Sequence, residues 1–411
     1  MTNSATALQP VRLGERIDLL DILRGVALLG ILLMNIEGFA GPLDLSMTGI
    51  DPRWQGLDYW ADAWAYVFVQ GKFYPIFSML FGMGFAVMAQ RAQAAGRVLE
   101  PLYLRRSAVL GAIGLCHALL IWSGDILLWY ALLSLPLLAL GALPQRWLPV
   151  LGVGSYLASV AMILGLGVLL WGATQAGGDV AESLQAGAAA AVEKVEQQRA
   201  VFGGGTYLQA LVQRAEDLAT NLQGLMLIGP EIFGMFLLGC WWVRSGAIIE
   251  PARFARLFAG LRWLALPAGL ALMAASIGVL PYLAPGRFDL PLAAAFALAT
   301  VAGLLMALGY LAWFTRWQRG LGWAAPAGRM ALTNYLLQSV VCTALFYGYG
   351  MGLFEQVGRA GQLLLAVVIF AGQVVLSHWW LARFQFGPVE WVWRALTYGR
   401  RPPFRRSKVG A

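Results

Sequence analysis

The sequence predicts an all-α fold, a polytopic membrane helix bundle of about ten transmembrane helices, and three observations carry that prediction. Hydrophobic residues make up 59% of the 411 positions and charged residues only 12%, where soluble domains use roughly half and a quarter. Apolar runs of about the 20 residues needed to cross a hydrocarbon core recur along the whole chain. Arg and Lys collect in alternate connections between those runs, the bias of short loops on the cytoplasmic side of a membrane. Spans are predicted at 18–40, 68–90, 103–122, 125–143, 148–172, 222–243, 259–282, 291–314, 330–349 and 361–382.

The first run is preceded by Asp18, Asp21 and Arg24 and is followed by no small-residue cleavage site, so it is expected to stay as a span and not to be removed as a signal peptide. Ten spans starting from the inside place 22 of the 29 Lys and Arg residues on the cytoplasmic side, among them Arg12, Arg16, Arg24, Arg91, Arg106, Arg329 and Arg394. Six fall outside, including Lys194, Arg214 and Arg359, and Lys72 is left near a membrane face. A multi-pass protein of a bacterial-type inner (plasma) membrane with both termini cytoplasmic is therefore expected. The chain reads as one membrane domain, 1–411, without internal repeats.

The one long connection, 173–221, is rich in Ala, Glu, Gln and Leu, with GGG at 203–205. It predicts an extracytoplasmic insertion of two amphipathic helices, either a solvated loop or a lid over an external opening. The basic tail, 394–411, ends in RRPPFRRSKVGA, 400–411, which contains Pro and is expected to be disordered and suited to anionic headgroups of membrane lipids. Glycines in LFGMGFA and LGLGV read as close helix packing. Cys116, Cys240 and Cys342 lie within apolar runs, so neither a disulfide framework nor a metal site is expected. The net charge of +8 is explained by the membrane before nucleic acid, for which no basic stripe or reader motif is present.

Ionisable groups at membrane depth cost about 2.5 to 3.5 kcal/mol each on insertion scales and usually face protein or a wet cavity. The candidates are Asp18, Asp21 and Arg24 at the inner end of the first span, Asn35 and Glu37 toward its outer end, Lys72, His117, Asp125, Glu231, and Asn334 with Gln338. The stretch GAIGLCHALLIWSGDILLWYALL puts His117 near the outer end of one span and Asp125 at the start of the next, joined by a tight hairpin at Ser123 and Gly124. An imidazole beside a carboxylate can act as a general base. Equally, His117 can bond a neighbouring helix while Asp125 caps its own. Asp21 and Arg24 fit an i,i+3 ion pair or an anion site near the cytoplasmic face, to which Arg329 and Asn334 could contribute. His378, beside Trp379 and Trp380, fits an interfacial belt.

LLDILRGVALLGILLMNI, FYPIFSMLFGMGFAVMAQR, RRSAVLGAIGLCHALLIWSGDILLWYAL and FGPVEWVWRALTYG, in this order, resemble the landmarks of the YeiB-like family, the domain of unknown function 418. The resemblance covers nearly the whole chain. It implies kinship with membrane acyltransferases that take an acyl group from a cytoplasmic thioester to an acceptor on the far side. It also implies that the family's His and Asp landmarks fall on His117 and Asp125, its LDxLRG motif on residues 20–25, and its external Gly, aromatic and Arg segment on GTYLQALVQR, ending at Arg214. An acyl-coenzyme A donor and an extracytoplasmic sugar or lipid acceptor are the corresponding expectations. Alternatives are a transporter or lipid- or quinone-binding protein using the same polar groups, and a non-catalytic envelope scaffold.

Overall fold

The computed structural model describes residues 18–140, 143–287 and 289–406. Arg12, Arg16 and Lys408 lie outside the described residues. Fifteen α-helices make up the described part: α1 (Asp18–Ala40), α2 (Gly56–Phe68), α3 (Phe73–Ala94), α4 (Glu100–Leu120), α5 (Leu127–Leu140), α6 (Trp147–Ala176), α7 (Gly178–Gly204), α8 (Tyr207–Arg244), α9 (Ala255–Gly260), α10 (Leu266–Val279), α11 (Leu290–Arg316), α12 (Ala325–Arg329), α13 (Ala331–Phe346), α14 (Arg359–Leu381) and α15 (Pro388–Tyr398). A five-residue π-helical turn, Leu261–Ala265, joins α9 to α10. Among the described residues seven segments are long and apolar enough to cross a bilayer, and α5 and α13 are shorter apolar helices. Each predicted span overlaps a helix, although α4, on which the predicted 103–122 span falls, is not among the segments apolar enough to cross; the described chain is an all-α membrane bundle.

Burial orders the helices. In α1, 78% of the apolar window is buried, against 17% in 251–279, so α1 is the axis and the α9–α10 segment lies at the rim. Helices α3, α12, α13 and α14 surround α1, and α8 packs on α3 and α6. Gly82 of α3 and Gly239 of α8 make the close approach possible, since a Cβ on either would strike the other helix's backbone at the carbonyl of Phe236 or Met79. This is the packing role predicted for LFGMGFA. Gly84, by contrast, has open space beside it and borders a cavity.

Three predicted features differ. The second span does not begin at 68. The amphipathic α2 comes first, with Leu57, Trp60 and Trp64 exposed, and the chain then breaks at Gly71, whose φ of +76° is the left-handed region glycine tolerates. Lys72, predicted near a membrane face, caps α3 from this break and is 1% exposed. The sixth span is the second half of a 38-residue helix. Its first half and α7 form the insertion, and the GGG break falls at Gly205, followed by a Thr206–Gln209 capping box. The tail is ordered through Arg406: Phe404 packs on Trp380, Phe384 and Trp391, and the Gln385 N–H donates to the Phe404 carbonyl at 3.0 Å. Aromatic burial outweighs the basic composition there.

The insertion lies over the end of the bundle where α1 finishes. Lys194 of α7 pairs with Asp44 just after α1 at 2.8 Å, and Arg199 pairs with Glu355 before α14 at 2.5 Å. We call this end the insertion face and the opposite one, where Arg24, Arg91, Arg106, Arg329 and Arg394 converge, the basic face.

Candidate functional site

Two cavities enter the bundle from its two ends. The basic-face cavity, about 290 Å³, has Arg24, Arg91, Arg106, Arg329 and Arg394 around its mouth, against the acids Asp21 and Glu390. Its shaft is apolar, walled by Phe77, Leu80, Phe81 and Leu110, and it ends at Ile31, Ile126 and Tyr335. The same three residues also close the insertion-face cavity, about 390 Å³, whose walls carry Asn35, Gln70, Lys72, Asp125 and Glu231 among Trp122, Trp129, Met34 and Phe296. Among the described residues, Ile31, Ile126 and Tyr335 thus form a partition shared by the two.

His117 and Asp125 meet beside the partition. His117 Nδ1 lies 2.7 Å from Asp125 Oδ1, and both side chains are 1% exposed. Asp125 Oδ2 accepts the backbone N–H of Leu128 in the first turn of α5 at 2.7 Å, so the carboxylate caps its own helix and holds the imidazole at once. In a neutral imidazole whose Nδ1 faces a carboxylate, Nδ1 carries the proton and Nε2 is the lone-pair nitrogen. Nε2 is buried and has no hydrogen-bond partner among the described residues. The ring rests against Tyr335, centroids 5.2 Å apart. His117 itself borders neither cavity; Asp125 borders one and Tyr335 both. Gly114, one turn before His117, admits the start of α5, since a Cβ there would come within 3.0 Å of Asp125 Oδ2 and closer still to the Leu128 nitrogen.

The hairpin after His117 is clamped by the insertion half of α8. Fully buried Arg214 donates from Nε to the Leu119 carbonyl at 2.8 Å and from a terminal nitrogen to the Ile121 carbonyl at 3.3 Å. The Tyr207 hydroxyl takes the Leu120 carbonyl at 2.8 Å, and Asn221 takes that of Ser123 at 3.0 Å. These are carbonyls left over at a helix C-terminus, where a cation is favoured. Arg214, a candidate for substrate binding by sequence, borders neither cavity and acts as a positioning residue for α4.

Two other candidates also sit in structural networks. Glu37 borders neither cavity: its Oε2 accepts from Gln70 at 2.7 Å and stands 3.4 Å from the guanidinium of Arg359. Arg359 also donates to Asp62 at 2.8 Å, and both of these side chains are wholly buried. Asn334 donates to Ser377 at 3.0 Å and to the Ala327 carbonyl at 3.1 Å, tying α13 to α12 and α14. Asp21 and Arg24 form the i,i+3 pair, at 2.6 Å, and line the basic cavity with Arg329. Asn35, Lys72 and Glu231 line the other one. The exposed His378, whose Nδ1 lies 2.9 Å from the Val374 carbonyl, takes no part.

Sequence reasoning passed over Arg91, Arg106 and Arg394, which it counted only as cytoplasmic charges, and Tyr335, whose hydroxyl is buried within an apolar run. It also passed over α15 as a wall of the basic cavity. That helix is anchored by Glu390, whose carboxylate accepts the N–H groups of Leu332 and Thr333 at 2.8 and 3.0 Å and the Thr333 hydroxyl, at the start of α13. Burial pushes the Glu390 carboxyl above the usual carboxylate range. Trp393 of α15 lies under the Arg106 guanidinium at 4.2 Å, and its indole N–H donates to the Arg106 carbonyl at 3.1 Å.

Sequence comparison gives the landmarks their setting. Residues 242–400 match the family model described as protein of unknown function, DUF418. The chain is 35% identical to the uncharacterized protein YxaH of Bacillus subtilis, over 98% of this chain and all of that one. The chain belongs to the YeiB-like DUF418 family. It is also 34% identical to the uncharacterized protein YeiB of Escherichia coli, over 93% of this chain and 96% of that one. To an uncharacterized 39.9 kDa protein from the amylase 3′ region of Bacillus acidopullulyticus it is 30% identical, over 98% and 99%. No solved structure matches the chain. A YeiB-like chain is thus similar to bacterial proteins end to end, so both cavities and the insertion lie within the shared length.

Proposed function

We propose that this YeiB-like protein is a membrane acyltransferase that moves an acyl group from a cytoplasmic thioester, of the acyl-coenzyme A kind, to an acceptor on the far side. In this reading the protein sits in the bacterial plasma membrane with its basic face and both termini toward the cytoplasm. One observation carries the proposal: two cavities of opposite character enter from the two faces and meet at a partition beside a buried His–Asp pair. The five arginines suit the phosphates of a donor, because guanidinium groups bind phosphate through paired charge-assisted hydrogen bonds. The apolar shaft suits an acyl thioester arm. The second cavity, with carboxyl and amide groups among tryptophans, suits a sugar or lipid acceptor.

His117 Nε2 takes the proton from the acceptor's hydroxyl or amine as that atom attacks the thioester carbonyl carbon. The C–S bond then breaks, and the imidazolium returns the proton to the departing thiolate, leaving an ester or amide and a free thiol. Asp125 fixes the tautomer and balances the imidazolium. Because Tyr335 lies between His117 and the cavities, its ring must shift when the two ligands are in place.

The test is to incubate the purified protein in bacterial-lipid proteoliposomes with coenzyme A thioesters labelled in the acyl group, from acetyl to palmitoyl. The expected result is protein-dependent movement of label from thioester into lipid or added saccharide, with equimolar release of coenzyme A. Label that stays in the thioester with every donor and acceptor contradicts the proposal.

A further inference from the structure

The insertion-face cavity holds an acid and a base that are not used on each other. Glu231 is 3% exposed and lines the cavity, yet no hydrogen bond or ion pair reaches its carboxyl among the described residues. A carboxyl at this depth without a partner is costly unless a ligand supplies one. Gln70 lines the same cavity, and its Oε1 is a second buried acceptor with no partner. Lys72, on the break before α3, donates to the Tyr66 carbonyl at 2.7 Å and rests 3.6 Å from Met273 Sδ. An ammonium has three N–H donors, so one remains for the cavity. Of the other polar groups on the wall, Asp125 is held by His117 and the Leu128 N–H, Asp44 by Lys194, and Asn221 donates to the Ser123 carbonyl; most of the remaining lining is apolar or aromatic, with Met34, Trp122, Trp129, Ile228 and Phe296.

Free acceptors on Glu231 and Gln70, a cation with a spare donor at Lys72, and a largely apolar lining describe the complement of a zwitterion. We propose that the cavity binds a headgroup carrying both an ammonium and an oxyanion, with Glu231 and Gln70 receiving the ammonium and Lys72 the oxyanion. Such a group occurs at the head of a zwitterionic phospholipid or as a free small molecule. The inference deepens the proposed function, whose acceptor pocket this would be. Its test is a binding measurement that needs no donor, so the two can fail separately.

Native mass spectrometry of the purified protein is titrated with dioleoyl phosphatidylethanolamine and with dioleoyl phosphatidylglycerol, which keeps the phosphate and lacks the amine. The wild type is expected to prefer the ethanolamine lipid by about 10- to 100-fold, the range of one charge-assisted hydrogen-bonded contact. Glu231→Gln is expected to erase that preference by weakening the ethanolamine lipid alone, and Glu231→Asp to restore part of it. Lys72→Gln is expected to weaken both lipids and keep the preference. Competition by O-phosphoethanolamine identifies the headgroup alone as sufficient, and its failure to compete identifies the lipid as the ligand. Equal binding of the two lipids to the wild type, or an undiminished preference in Glu231→Gln, would overturn the assignment.

Discussion

His117→Gln is expected to lower acyl transfer by about 10²- to 10⁴-fold, the range for a lost general base, while leaving thermal stability close to that of the wild type. The asymmetry follows from the geometry. His117 gives the fold one hydrogen bond, to Asp125, whereas its second nitrogen bonds nothing among the described residues. Asp125→Asn keeps a side-chain oxygen for the Leu128 N–H and so keeps the cap on α5. It replaces the carboxylate facing Nδ1, so the tautomer is no longer fixed and the imidazolium is no longer balanced. A comparable loss of rate is expected. Initial rates of label transfer, measured beside a melting curve in detergent, separate the two effects. If both variants melt early and retain the rate per folded molecule, the pair is a packing device and the base lies elsewhere.

Arg359→Gln is expected to cost about 3–5 kcal/mol of stability, because it removes the counter-charge of a buried carboxylate. Asp62 and Arg359 are both wholly buried and 2.8 Å apart, with Glu37 as the second acid on the guanidinium. The double variant Arg359→Met, Asp62→Leu is expected to recover much of that loss, since replacing both members of a buried pair by apolar groups is often close to neutral. Thermal unfolding of the purified variants reads this directly. A single variant as stable as the wild type would mean that water or protonation already relieves the site, and that α1, α2 and α14 are held by packing alone.

These two predictions divide the polar residues by role, and the division marks where the sequence was legible. Span positions followed from hydropathy, which has the same length scale as the helices themselves. The His117–Asp125 contact was legible because only a hairpin separates the two residues. Arg359, Asp62 and Glu37 come from three distant helices, and no period or spacing in one chain pairs them. Arg214 was placed with the ligand-binding groups only through the family resemblance of GTYLQALVQR; its partners are carbonyls on a helix that only folding brings near. The helix α2 was missed because its aromatic residues run on into the next apolar stretch, so a window of 20 residues cannot see the turn at Gly71. The order of the tail through Arg406 was missed because five arginines at 394–406 outweigh two aromatic residues, Tyr398 and Phe404, in composition, although packing gives the aromatics the larger share of the energy.

The septum explains why sequence alone could name the chemical pair and still not locate the cavities. Ile31, Ile126 and Tyr335 are unremarkable as residue types, yet they are the residues shared by both cavities. Acyl transfer therefore turns on what occupies the basic-face cavity and how far that ligand reaches. The most direct measurement is a cryo-electron microscopy structure of the protein with a non-hydrolysable thioether analogue of an acyl-coenzyme A. Phosphate density is expected among Arg24, Arg106 and Arg329, with the acyl carbon at Tyr335 and the ring of Tyr335 displaced from His117. Analogue bound elsewhere, or an empty cavity with the Tyr335 ring still against the imidazole at saturating analogue, would contradict it.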